Sequence, residues 1–162
     1  MRKTGWMGAL LALLPLLGCD GQRINELQAG EATEADVRAK FGNPDNIWDG
    51  PEGARVFEYN RQPAGQVNYM ITLGADGRMV SVRQVLTPAN FARIQPGMSM
   101  EEVRKLLGKP AKITPFALKR EVHHDWRYLD APSTAMLFTV VYDLDYRVLR
   151  AFSAPDPSSE RG

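Results

Sequence analysis

The sequence predicts an α+β protein built from two tandem repeats. Each repeat reads as a helix-turn-helix packed on an antiparallel sheet of three or four strands. Two observations carry this: a helix sentence that occurs twice, and strands of period two that follow each copy. Residues 97–110 read Gly-Met-Ser-Met-Glu-Glu-Val-Arg-Lys-Leu-Leu-Gly-Lys-Pro. Ser99 is placed to cap the helix and Glu102 to reach back to the Ser99 N–H. Gly108 reads as a left-handed stop and Pro110 bars resumption. Met100, Val103 and Leu107 form one apolar stripe. The same sentence stands 66 residues earlier, with Thr33 for Ser99, Asp36 for Glu102, Val37 for Val103, Gly42 for Gly108 and Pro44 for Pro110. Two copies at fixed spacing indicate an internal duplication.

The chain opens with an address. Arg2 and Lys3 precede an apolar run over 7–17, too short for the roughly 20 residues that span a bilayer. Residues 1–18 therefore read as a signal peptide. Leu16-Leu17-Gly18-Cys19 resembles the bacterial lipobox, which makes Cys19 the expected lipidation site. Cys19 is the chain's one cysteine, so no intramolecular disulfide supports the fold. Residues 19–23 read as a tether, 24–86 as the first repeat and 87–153 as the second. Residues 154–162 are rich in Pro and Ser, lack periodicity and are expected to be disordered. The hydrophobic fraction, 44%, is ordinary for a globular protein. No basic stripe points to nucleic acid.

Within each repeat a shorter helix precedes the capped one, over 22–29 and 88–95. Thr87-Pro88 supplies a cap with Pro at the first helical position. Strands are expected over 46–48, 55–60, 66–73 and 78–85, and again over 112–114, 124–128, 136–142 and 146–152. Phe57 and Tyr59 share one face, and Trp126 and Tyr128 are read as their counterparts, 69 residues on. Val67, Tyr69, Ile71 and Leu73 alternate with Gln66, Asn68, Met70 and Thr72, the mark of a half-buried strand.

The chemistry-bearing residues are few. In His123-His124-Asp125 the two histidines point to opposite faces of a strand and cannot share a metal. His124 goes with Trp126, while His123 and Asp125 share the outer face within bonding reach. No serine stands in a nucleophile motif, and Gly74-Ala-Asp-Gly77 is a hairpin turn rather than a phosphate loop. The reading is of a non-enzyme with no catalytic residue, no metal, no cofactor and no small-molecule substrate. One difference between the repeats bears on partners: Asn68, Met70 and Thr72 become Leu137, Thr139 and Val141 on the outer sheet face. Either this more apolar face packs between the repeats, or Leu137 and Val141 bind a partner. Trp48, beside a turn, is a further candidate for partner binding.

The Gly-Met-Ser helix, its Leu-Gly-Lys-Pro stop, the Trp126-Arg-Tyr128 strand and the lipobox together resemble the SmpA/OmlA (BamE-like) lipoprotein family. The resemblance is closer over 87–152 than over 24–85. It implies an outer-membrane lipoprotein that binds the machinery inserting β-barrels and performs no chemistry. The tandem arrangement also resembles the β-lactamase inhibitory protein. That implies an alternative: an inhibitor or sensor of an envelope enzyme, acting through the face between the repeats. The expected location is lipid-anchored and periplasm-facing, at the outer membrane by the family pattern. Asp20 after the cysteine resembles an inner-membrane retention signal.

Overall fold

The computed structural model describes residues 20–159. The first repeat comprises α1 (Asp20–Asn25), α2 (Glu34–Phe41) and the strands β1 (Asn46–Asp49), β2 (Arg55–Asn60), β3 (Asn68–Leu73) and β4 (Met79–Gln84). The second comprises α3 (Pro88–Phe91), α4 (Met100–Leu107), β5 (Lys112–Phe116), β6 (Glu121–Asp130), β7 (Thr134–Tyr142) and β8 (Val148–Pro155). Each set of four strands forms its own antiparallel sheet in sequence order, β1-β2-β3-β4 and β5-β6-β7-β8.

Both capping boxes form. Thr33 Oγ1 accepts from the Asp36 N–H at 3.3 Å, and the Asp36 carboxylate accepts from the Thr33 N–H at 2.9 Å. Ser99 and Glu102 repeat the arrangement at 3.2 and 2.7 Å. Val37 and Val103 are both wholly buried, as an apolar stripe turned to a sheet requires. The stops differ from expectation. Gly42 (φ 81, ψ −162) and Gly108 (φ 75, ψ −170) have positive φ with extended ψ rather than left-handed helical geometry. That region is open essentially to glycine alone. It turns each glycine N–H back onto the helix, to Arg38 O and Arg104 O at 2.8 and 2.7 Å.

The strand register corrects the match between repeats. Tyr59 pairs with Tyr69, Trp126 pairs with Phe138, and the two hairpins carry the same bulge, at Thr72/Leu73 and Val141/Tyr142. Tyr59 is therefore the counterpart of Trp126, not of a residue two places on. The hydrogen bonds agree: Tyr59 OH donates to Gly42 O and Trp126 Nε1 donates to Gly108 O, each at 3.0 Å. The β2–β3 and β6–β7 connections differ in length, which hid this from a fixed offset.

Two cores result. Leu27, Val37, Phe41, Phe57, Tyr59, Tyr69, Ile71 and Leu73 fill the space between α1–α2 and the first sheet. Phe91, Val103, Leu107, Trp126, Phe138 and Val140 fill that between α3–α4 and the second. Met70, from the opposite face of β3, joins the second core. The layers therefore stack as α1–α2, first sheet, α3–α4, second sheet. Among the described residues helices cover the first sheet on both faces and the second on one.

Three boundaries shift. Val85 and Leu86, expected in the first repeat, pack in the second core. α1 begins at Asp20, so the residues expected as tether are largely helical. The tail expected to be disordered from 154 is structured through 159: β8 extends to Pro155, and Asp156 is 3% exposed. Its carboxylate accepts from Arg127 Nε at 2.7 Å and from the Ser158 N–H at 2.9 Å. A buried, bonded carboxylate holds a chain end that composition alone would leave loose. The signal segment 1–18 and Cys19 lie outside the described residues, as do 160–162.

Candidate protein-docking face

The polar side of the first sheet is the surface where the repeats meet. Asn68 Nδ2 donates to Leu107 O at 2.8 Å and to Lys109 O at 3.1 Å. The Lys109 N–H donates to Glu58 Oε1 at 3.0 Å and to Asn60 Oδ1 at 2.8 Å. Glu58 is 0% exposed. It also accepts from Trp48 Nε1 at 2.9 Å, Asn60 Nδ2 at 2.8 Å and Arg104 Nε at 3.3 Å. A buried carboxylate survives only when its oxygens are met in this way. Glycine at 108 permits the approach: a Cβ there would stand 2.5 Å from Asn60 Oδ1 and 2.9 Å from Asn68 Nδ2.

This seat relocates the sequence-predicted site residues. Trp48 is not an open aromatic. It is half-buried in the seat, with the Arg104 guanidinium 5.8 Å and the Lys105 ammonium 5.3 Å from its ring. Leu137 and Val141 do not lie between the repeats, because α4 fills that space. They sit on the far face of the second sheet. Val141 is 0% exposed there and unavailable to a partner, while Leu137 is half-buried and borders a cleft. The cleft, about 380 Å³, is lined by Lys112, Asp125, Arg127 and Leu137 from the sheet, Pro63 from the first repeat, and the 156–158 turn.

Around it, charges on this face are paired with one another. Arg150 donates to both Glu121 oxygens at 2.8 and 3.0 Å. His123 Nε2 lies 3.0 Å from Glu121 Oε2. With Arg150 first and His123 second, these bonds lower the Glu121 pKa to about 2. Asp125, expected to bond His123, instead accepts from Thr139 Oγ1 at 2.7 Å. Arg127 Nη1 donates to Pro63 O at 2.9 Å, and its backbone N–H and C=O bond the Gln62 amide at 3.1 and 2.8 Å. Arg127 thus joins the first repeat, the second sheet and the C-terminal turn. Asp156 is kept ionised: burial opposes the charge, but bonds from Ser158 and Arg127 outweigh it and lower its pKa. Apolar side chains are exposed among these pairs: Phe152 (46%), Leu129 (51%) and Phe116 (37%). Of these contributors the repeat comparison shows Phe152, which stands where the first repeat has Arg83. The Arg127–Asp156 pair leaves no sequence signal, since nothing local links the two.

On the inner face His124 is 3% exposed against Trp126 and Tyr142, and burial lowers its pKa to about 4. His124 Nε2 and Tyr142 OH meet no partner among the described residues. His123 faces the other way, so the histidines act on separate surfaces.

Residues 84–135 match the outer membrane protein assembly factor BamE domain. The match covers α3, α4, β5, β6 and the turn that follows. Among curated proteins none matches the chain. Similar solved structures include a DUF4309 family protein (YjgB) from Bacillus subtilis, with 19% identity over 83% of this chain and 86% of that one and a TM-score of 0.32. Another is a proposed β-lactamase inhibitor protein from Streptococcus mutans, with 9% identity over 83% of this chain and 94% of that one and a TM-score of 0.35. A third is an extracellular protein containing a SCP domain from Bacillus anthracis, with 12% identity over 98% of this chain, 51% of that one and a TM-score of 0.30. At these scores none of the three bears on function. No helix among the described residues is long and apolar enough to cross a membrane.

Proposed function

We propose that the protein is a lipid-anchored, periplasm-facing, non-catalytic binding module of envelope protein assembly. The BamE-domain match over 84–135 carries this reading. The matched segment supplies α3, α4, β5 and β6; its strand β6 carries Leu129 on the outer face of the second sheet, beside Leu137 and Phe152 from the adjoining strands. The anchor is the lipid on Cys19, at the outer membrane by family analogy. With α1 starting at Asp20, the anchor would join the chain at the first helical layer.

The alternative, an inhibitor or sensor of an envelope enzyme, needs a different surface from the one first expected. The face between the repeats is occupied by α4, so such a protein would also act through the outer face of the second sheet. Affinity purification of the tagged lipoprotein from the envelope separates the two. Co-purifying barrel-assembly subunits support the assembly reading, and a stoichiometric hydrolase replaces it with the inhibitor. The anchor has its own test. Cys19→Ser should give unprocessed precursor with no acyl label, since a hydroxyl does not replace the thiol; an acylated variant would sink the lipid assignment.

A further inference from the structure

We infer that the Lys112–Arg127–Leu137 cleft is a seat for the C-terminal end of an amphipathic helix supplied by a protein partner, the counterpart of the seat that holds α4 on the first sheet. The inference rests on the proposed binding role and names the element recognised.

The strand register sets the correspondence. Asn46 pairs with Glu58 and Glu58 with Met70, while Lys112 pairs with Asp125 and Asp125 with Thr139. Asn60 pairs with Asn68, and Arg127 with Leu137. Asn46, Glu58, Asn60 and Asn68 therefore correspond to Lys112, Asp125, Arg127 and Leu137. In the first repeat Glu58, Asn60 and Asn68 take the end of α4, through Leu107 O, Lys109 O and the Lys109 N–H. In the second repeat the four corresponding residues line the cleft. Stacked repeats bury one repeat's face against the next; among the described residues no helix lies on the corresponding face of the second sheet, and the 156–158 turn borders it.

The chemistry of the open seat fits a helix end. The C-terminal end of a helix presents unpaired carbonyls and partial negative charge, which cations stabilise. Lys112 supplies a cation where the first repeat has Asn46, while Arg127, where the first repeat has Asn60, is already paired with Asp156 and bonded to Pro63 O and forms one wall of the seat. Leu137 replaces the polar Asn68, and Phe152 and Leu129 extend the apolar floor, so the helix must carry an apolar stripe. The other charges of the face are paired internally, which disfavours a strongly charged partner. A second copy of the chain does not suit: α1 and α2 expose no large hydrophobic side chain among the described residues, and α4 is buried between two sheets.

The test places a photo-cross-linking phenylalanine analogue at Phe152 or Leu129 of the full-length lipoprotein in its envelope. Val80 and Ile47, exposed on the first repeat, serve as controls. Cross-linked peptides are mapped by mass spectrometry. The expected result is cross-links from 152 and 129 to one partner, on residues three and four apart. Lys112→Glu and Leu137→Asp should each lower the yield at least tenfold with unchanged melting, and Lys112→Arg should restore it. Cross-links on alternate residues would mean a strand added to β8 and would overturn the inference. So would cross-links to a second copy, or yields no higher than at Val80 and Ile47. If assembly subunits co-purify but cross-link elsewhere, the seat is wrong and the proposed function stands. If a helix of an unrelated enzyme is captured, the seat stands and the assembly role fails.

Discussion

Gly42 and Gly108 end equivalent helices in nearly the same backbone conformation, and each accepts a hydrogen bond from an equivalent aromatic. Around Gly42 a Cβ would meet nothing within 4 Å, whereas around Gly108 it would strike two asparagine side chains. The local fold is thus the same in both repeats, and the surroundings differ. One helix faces outward and the other is clamped between two sheets. The consequence runs along the stack: the polar face of the first sheet takes α4, whereas among the described residues no helix covers the same face of the second, which keeps a cleft beside the 156–158 turn.

The largest expected effect breaks the clamp. Glu58→Ala removes the acceptor of Trp48, Asn60, Arg104 and Lys109 and should cost about 3 kcal/mol. Asp125→Ala, at the corresponding position, should cost about 1 kcal/mol, because it loses only the Thr139 bond. Urea unfolding of the two variants measures the gap, and equal losses would remove the distinction between the seats. Next comes the glycine pair. Both Gly→Ala changes should cost about 1–3 kcal/mol from backbone strain. Gly108→Ala should exceed Gly42→Ala by about 1–2 kcal/mol, as pinned side chains must move.

A smaller, pH-dependent difference concerns His124, which stands where the first repeat has Phe57. Its folded pKa is lowered to about 4 from 6.5, so the folded state favours the neutral ring. Its contribution is complete above pH 6.5 and is lost as pH falls toward 4, about 2 kcal/mol of it by pH 5. His124→Phe should flatten that part of the stability–pH curve, while leaving the acid losses of the bonded carboxylates. An unchanged curve would show that His124 is hydrated in the folded protein. The smallest contrast is an expected equality. Thr33→Ala and Ser99→Ala should each cost about 1 kcal/mol, and a gap above about 1 kcal/mol would show that the clamp also supports the Ser99 cap.

Much of the fold was legible because its signals are local. Thr33 with Asp36 and Ser99 with Glu102 meet within one turn, and alternation over Tyr69, Ile71 and Leu73 reports one buried face. The same alternation misled on Asn68 and Met70. Period two reveals the apolar side of a strand, but polar residues opposite can also be buried when a neighbour supplies their hydrogen bonds. Asn68 meets Leu107 and Lys109, some 40 residues away, and no spacing rule anticipates that. The difference between repeats pointed to Leu137, which borders the cleft on the second sheet. Trp48, a candidate for partner binding, is half-buried beside α4, and Val141, offered either as interior between the repeats or as a partner contact, is buried on the far face of the second sheet.

The sequence by itself determined the capped helices, the glycines that end them and the positions of the strands, since each depends on residues a few positions apart, and the repeated spacing showed the duplication. Only the tertiary structure decided which sheet face is covered, how Tyr59 matches Trp126, and that Asp156 holds the C-terminal turn to Arg127. These depend on stacking one repeat on the other, where the contacts of Glu58, Asn68 and Arg127 are set by distance in space and leave no period in the chain.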